Sequence, residues 1–323
     1  MFKSMAAVFS TVLLVALAPG AFAQQVPIPP LVRIVVPFAA GSSTDAMGRA
    51  LAAQLSTRLG TNVIVENRAG GSGLIGAGAV AKGPRDGSML LFTSVSMITA
   101  VATLRTASFD PIAELLPVAL VGEGPLVVAV STKTDIKTPA DLLAAARAKP
   151  DVLTHGTAGV GTLSHLSAEF FNDAAKVQIK HIPYKGAALA VIDLAAGTID
   201  AMFAVNTTLA PQIKAGRVRL IGVTSEQPSP AFPDLPTMRS VAPGYTTTVW
   251  TAIFAPTGTP AALVQRLNRE IREIVKSDKT MQDIMRFDGV SPGALSPEEL
   301  ARLVRESHAT WKAVAAAKNI VLD

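Results

Sequence analysis

Short apolar runs alternate with amphipathic stretches along most of the chain. Leu31 to Pro37 carries the β-branched residues Val32, Ile34, Val35 and Val36 and ends in the turn-rich segment Ala39 to Asp45, which predicts strand, loop and helix in that order. The helix is expected from about Asp45 to Arg58, with Met47, Leu51, Leu55 and Leu59 on one face and Ser42, Ser43 or Thr44 as N-cap. The unit then recurs. Asn62 to Glu66 reads as a strand, Gly70 to Gly76 as a glycine-rich loop, Leu74 to Lys82 as a helix and Met89 to Thr93 as a third strand. Alternation of this kind places helices on both faces of a mainly parallel sheet, because parallel neighbours need a long crossover between them.

A second α/β unit follows. Strands are predicted near Leu126 to Ser131, Val152 to His155, Val177 to Ile182, Ile199 to Val205 and Val218 to Val223. Helices fall between them, at about Pro139 to Arg147, Thr162 to Asn172, Gly186 to Ala195 and Ala210 to Ala215. Ser225 to Pro236, rich in proline, is a surface loop, and Thr246 to Ala255 is a further strand rich in β-branched and aromatic residues. From Pro260 to Lys318 the pattern is almost wholly helical: Leu263, Leu267, Ile271 and Ile274 repeat at helical spacing, Pro292 interrupts, and Ser296-Pro297-Glu298-Glu299 is a capping-box start. A helical tail without a sheet of its own is expected to pack back on the first unit. The domain expectation is therefore a discontinuous lobe of residues 24–124 and 247–323 and a second lobe of 125–246, with crossings near Gly124 and Thr247 and a ligand cleft between the lobes.

The N-terminus changes the setting. Lys3, the apolar run Ala6 to Ala18 and Ala21-Phe22-Ala23 have the form of a secretory signal with a small-residue cleavage site. The run of 13 residues is too short to span a bilayer as a helix. Cleavage after Ala23 leaves 323 − 23 = 300 residues, enough for two lobes that each bury a core. The 323 residues contain no cysteine, which excludes disulfides and thiol lipidation and points to a free periplasmic protein. Removing Lys3 with the signal lowers the formal charge from +5 to +4, only mildly basic. Scattered cations and few Tyr or Trp argue against nucleic acid and leave room for anionic ligands.

Three segments join a strand to a helix through a small polar or glycine-rich loop: Pro37 to Asp45, Arg68 to Gly76 and Gly156 to Thr162. A helix start leaves amides without partners and carries partial positive charge, so such loops suit a carboxylate or phosphate without any cationic side chain. In open α/β sheets, ligands settle at these carboxyl ends of the strands. Each loop alone is equally an ordinary capped turn. Gly71-Ser72-Gly73-Leu74-Ile75-Gly76 matches G-x-G-x-x-G in form, yet no acid follows at the end of the next strand, so close packing or a small-anion contact is preferred to dinucleotide binding. Catalytic motifs are missing, and neither a metal site nor a cofactor is expected. His165 is a candidate ligand donor or a structural residue of its loop, while His155 and His181 are expected at strand ends and His308 toward solvent. Asp45 and Asp200 are candidate ligand contacts or turn residues, and Arg49 and Arg68 are anion clamps or structural ion pairs. The alternative from another class is a secreted hydrolase using His165 with Asp45 or Asp200 as an acid-base pair.

Taken in order, Val36-Pro37-Phe38-Ala39-Ala40-Gly41 with Ser43-Thr44-Asp45 and Arg49, Val65-Glu66-Asn67-Arg68 with Gly70-Gly71, Asp86-Gly87, Gly159-Val160-Gly161-Thr162 with His165, Pro183-Tyr184-Lys185-Gly186, Ala196-Gly197 with Asp200, Pro233-Asp234 with Pro236-Thr237, and Trp250 with Ala255-Pro256 cover the whole mature chain. In these stretches the chain resembles the substrate-binding proteins of tripartite tricarboxylate transporters, the Bug family. The resemblance implies a monomeric two-lobe receptor of the type II-like periplasmic fold that closes on a small carboxylate and serves a membrane transporter; a receptor feeding a sensor kinase would share the same pocket. It also implies that ligands are held by the loops Gly41 to Asp45 and Ala158 to His165. The candidate contacts are Phe38, Gly41, Ser42, Ser43, Thr44, Asp45, Ser94, Ala158, Gly161, Thr162, His165, Asp200 and Asn206. Ser42, Pro228 and Ser240-Val241-Ala242 depart from the family pattern, and Ser42 is expected to add bulk and a hydroxyl at the pocket.

Overall fold

The computed structural model describes residues 27–106 and 109–322, so the expected signal segment lies outside the described residues. β1 (Leu31–Val36) is β-branched and covered on both faces. It leads through α1 (Ser43–Leu59) to β2 (Asn62–Asn67), and through α2 (Leu74–Ala81) to β3 (Met89–Ser94). α1 begins at Ser42, whose hydroxyl accepts the Asp45 amide, and stops at Gly60 in the left-handed conformation. Its expected face, Met47, Leu51, Leu55 and Leu59, is buried.

Two elements lack a counterpart in the sequence pattern: α3 (Ser96–Thr103) and β4 (Leu115–Pro125), separated by the single turn α4 (Pro111–Glu114). β4 contains Pro117, Gly122 and Gly124, residues that normally end strands. They are tolerated because β4 pairs with bulges along its length, and because other chain packs closely there: a Cβ at Gly124 would lie 2.7 Å from the Gly289 carbonyl oxygen.

One residue beyond β4 the chain enters the second sheet as β5 (Val127–Ser131), followed by α5 (Pro139–Ala148), β6 (Thr154–Thr157), α6 (Leu163–Ala175), β7 (Lys180–Pro183), α7 (Ala187–Ala196), β8 (Ala201–Ala204), α8 (Asn206–Lys214) and β9 (Val218–Val223). It returns to the first sheet as β10 (Thr248–Pro256) and ends with α9 (Ala261–Ser277), α10 (Lys279–Phe287), the short edge strand β11 (Ser291–Pro292) and α11 (Pro297–Ala317). Sheet orders are β11-β4-β10-β3-β1-β2 and β7-β6-β8-β5-β9. The parallel cores expected from the alternation are β2-β1-β3 and β7-β6-β8. Antiparallel strands extend them, β10 and β4 in the first sheet and β5 and β9 in the second, so both sheets are mixed. These strands meet neighbours without a crossover helix between them, which removes the constraint that enforces parallel pairing.

The tail helices cover the first sheet. Leu263, Leu267, Ile271 and Ile274 of α9 share a core with Met47, Leu51 and Leu55 of α1 and with Val118 of β4. α11 starts with the expected capping box at Ser296 and Glu299, and its far end reaches the second lobe, where Lys318 pairs with Glu169 and Asp173 of α6.

The crossings are stitched by one buried side chain. Thr224 Oγ1 accepts the Leu126 amide at 2.9 Å and donates to the Thr247 carbonyl at 2.7 Å. Its backbone closes the same seam, its amide donating to the Leu126 carbonyl at 2.9 Å and its carbonyl accepting the Thr247 amide at 2.9 Å. Thr224→Val retains shape but strips both side-chain bonds, so a loss of roughly 2–4 kcal/mol is expected. Thermal melting checks this as a Tm lower by several degrees.

Candidate functional site

A cavity of about 410 Å³ lies between the two sheets. One wall is Phe38, Ser43, Thr44, Met47, Ser72, Ser94, Ser96, Val249 and Thr251, and the other is Ala158, Thr162, Leu163, Ser164, Met202, Phe203, Val205 and Thr208. Asp288 and Val290, from the turn after α10, close it. The lining is apolar side chains studded with hydroxyls. Among the described residues, Asp288 is its one ionisable side chain, and no Lys, Arg or His lines it.

The α6 turn enters the cavity with its amides exposed. Gly159 (φ 136°) and Gly161 (φ 75°) adopt backbone conformations that a side chain would strain, and this folds the loop tightly before Thr162 (ψ 160°) starts the helix. Thr162 donates its hydroxyl to the Gly159 carbonyl at 2.7 Å, so no side chain caps the first amides of α6 and no acid stands in its first turn. A 13-residue helix with an uncapped, uncharged start presents donors and partial positive charge to whatever occupies the cavity. Across from it, the Thr251 hydroxyl is buried and has no hydrogen-bond partner in the protein.

The α1 turn is different, because its donors are already used. Asp45 folds back so that its carboxylate accepts the Gly41 amide at 2.9 Å, Asn67 Nδ2 at 2.9 Å and Arg49 at 3.0 and 3.1 Å. Burial opposes its charge, but the bonds from Arg49, Gly41 and Asn67 outweigh that penalty and hold the carboxyl below the usual carboxylate range. The Ser43 hydroxyl donates to Asp288 Oδ2 at 2.8 Å.

Of the thirteen sequence candidates, Phe38, Ser43, Thr44, Ser94, Ala158 and Thr162 line the cavity. The others do not. Asp45 and Gly41 are consumed by the α1 loop, and Ser42 is the α1 cap, so Ser42 adds neither bulk nor a hydroxyl to the cavity. Gly161 donates its amide to His165 Nδ1 at 3.2 Å, and His165 points away from the cleft into a histidine stack. Asp200 accepts the Thr154 amide and hydroxyl at 2.8 and 2.9 Å and ties β8 to β6. Asn206 donates to the Phe287 carbonyl at 2.8 Å, linking α8 to the end of α10. Arg49 and Arg68 form structural pairs with Asp45 and Glu66. The acid-base pair of the hydrolase alternative is not assembled: neither Asp45 nor Asp200 bonds His165. Gly76 fits the packing interpretation of the glycine motif, since a Cβ there would lie 2.9 Å from the Arg68 carbonyl oxygen and from Pro37.

Sequence reasoning missed Asp288, Ser164, Ser72, Thr208 and Thr251. Asp288-Gly289 has the signature of a turn after a helix, but nothing in the pattern aims that turn at the cleft. The histidines also departed from expectation. His155, His165 and His181 stack with ring centroids 5.1 and 3.7 Å apart for the successive pairs with His181, and His155 Nε2 lies 3.6 Å from Glu169.

Two mixed sheets enclosing a hydroxyl-lined cleft, with an uncapped helix start opening into it, define a two-lobe solute-binding protein. The sequence profile described as Tripartite tricarboxylate transporter family receptor matches residues 47–320, and the chain belongs to that family. It is 35% identical over 280 residues to the UPF0065 protein in the tcbD-tcbE intergenic region of Pseudomonas sp. strain P51, covering 86% of this chain and 83% of that one. To BugT of Bordetella pertussis it is 32% identical, with 88% and 87% covered. The R. palustris protein Rpa4515, solved with adipate, superimposes with TM-score 0.80 at 33% identity, covering 90% of this chain and 98% of its own. MatC from Rhodopseudomonas palustris, solved with bound malate, gives TM-score 0.76 at 28% identity, covering 88% and 98%.

Proposed function

We propose that this protein is a periplasmic receptor that captures a small carboxylate in the interlobe cleft and delivers it to a membrane transporter of the tripartite tricarboxylate type. The observation that carries the reading is the uncapped start of α6, which faces a cavity built from both lobes. In such a site a carboxylate is stabilised by amides and hydroxyls of Thr162 and Ser164, with the Thr251 hydroxyl as a further donor, and its body rests on Phe38, Met47, Met202 and Phe203. The carboxylates solved with family relatives support the same ligand class.

The lobes pivot at the paired crossings, around Leu126 and around the segment from Thr224 to Thr247. Closure is driven by the ligand's preference for the closed form, and that difference is what a transporter senses. The chain is a receptor and returns its ligand unchanged. Trp250 stands between Val249 and Thr251 in the cavity wall, so its emission is expected to change on binding. A fluorescence and calorimetry screen of carboxylates tests the reading; saturable binding by at least one acid, recovered intact after denaturation, is the expected result. Silence across the panel, or turnover of the bound acid, overturns it.

A further inference from the structure

We infer that Asp288 sets the specificity of the cleft, admitting acids with one carboxylate and an apolar body and rejecting a second carboxylate; the inference rests on the carboxylate reading above. Asp288 is 3% exposed and follows α10 at a turn completed by Gly289 in the left-handed conformation (φ 69°). Its Oδ2 accepts the Ser43 hydroxyl at 2.8 Å, and its Oδ1 accepts the Thr207 amide at 2.7 Å and the Thr207 hydroxyl at 2.5 Å. Every one of these partners is neutral. The side chain therefore keeps a negative charge in the cavity wall with no cation paired to it among the described residues, and no cation elsewhere in the lining.

This arrangement divides the helix starts around the cleft. The first turn of α1 already faces Asp45 and Asp288, and the first turn of α8 is capped by Asp288 through Thr207. The α6 start alone is left without an acid or a side-chain cap. A monocarboxylate satisfies that one seat and lays its body on Met47, Leu126, Met202, Phe203 and Val249. A diacid brings a second charge into the same small cavity, where no cation stands to receive it. Two like charges about 6 Å apart at an effective dielectric near 20 cost on the order of a hundredfold in affinity. Adipate and malate, held by the two solved relatives, are both diacids, so the inference separates this receptor from them in a measurable way.

Calorimetry at pH 7.5 with three matched pairs, butyrate and succinate, hexanoate and adipate, and benzoate and terephthalate, is the test. The expected result is that the monoacid of whichever pair binds does so at least tenfold more tightly than its diacid. In Asp288→Asn the gap narrows to about threefold or less. Asp288→Ser, smaller but still able to hydrogen-bond, serves if the asparagine variant does not fold. A diacid that matches or beats its monoacid on the wild-type protein overturns the inference while leaving the carboxylate reading intact. A gap unchanged in a folded variant removes Asp288 as its cause. Failure of all six acids on the wild-type protein counts against the carboxylate reading itself, and the inference falls with it.

Discussion

Ser164→Asp is expected to weaken carboxylate binding by two orders of magnitude or more while leaving the melting temperature unchanged or slightly raised. The first turn of α6 contains no acidic residue, and Ser164 lies in that turn and in the cavity wall. An aspartate there complements the helix dipole, worth about 0.3–1 kcal/mol to the fold. It also fixes a carboxylate where the ligand's own would sit, so the variant occupies the seat from within. Ordinary loss-of-function substitutions confuse unfolding with loss of the site; here the two effects have opposite signs. Ser164→Ala serves as a control, removing one hydroxyl and reducing affinity by about tenfold or less. Calorimetry and thermal melting of the two variants decide the matter. Wild-type affinity in a folded Ser164→Asp protein would mean that the α6 start does not hold the acid group.

Acidification gives the second large effect, and it acts on stability through the histidine stack. Burial lowers the His165 pKa to about 4, with Glu169 pulling upward and His155 pushing it further down. Burial lowers His181 to about 3, reinforced by His165 and His155 beside it. Both imidazoles are neutral in the folded protein, whereas in the unfolded chain they titrate near the ordinary value of about 6.5. Below that pH the unfolded chain binds more protons than the folded one, so stability is full above pH 6.5 and declines as pH falls toward 4. Each histidine contributes up to about 1.4 kcal/mol per pH unit in that window, for a combined loss of about 2–5 kcal/mol by pH 4.5. The buried Glu169 carboxylate adds loss of the same sign: burial works against its charge, but His155, Lys318 and His165 hold its pKa below the ordinary value, so it too is protonated less readily when folded. Melting temperature between pH 7.5 and 4.5 should fall accordingly, and His181→Gln should flatten the curve. A pH-independent melt down to 4.5 would show that the stack is already protonated or solvated at neutral pH.

Local patterning made most of the α/β elements legible. Val32, Ile34, Val35 and Val36 form a strand because β-branched residues fit a pleated surface that helices cover on both sides, and α1 follows from an apolar face and a serine cap alone. β4 was not legible, because its proline and glycines signal turns locally, and only close packing against the Gly289 turn and pairing with β10 make a strand of it. The same division runs through the site. Phe38, Thr44, Ala158 and Thr162 stand in loops whose composition marked them, whereas Asp45 and His165, in the same loops, turn inward to hold those loops together.

The sequence by itself determined the alternating α/β elements, the capped helix starts and the glycine turns, since these depend on neighbours within a few residues and on the period of burial. The family too is written in short motifs spread along the whole chain. Tertiary structure alone decided which helix start stays open to an anion. That choice depends on side chains brought from far along the chain: Asn67 helps hold Asp45 across the α1 start, and Asp288, 245 residues from Ser43, takes the hydroxyl that the loop would otherwise offer. Hydrogen-bond donors are finite, and only the folded arrangement shows which of them the protein has spent on itself.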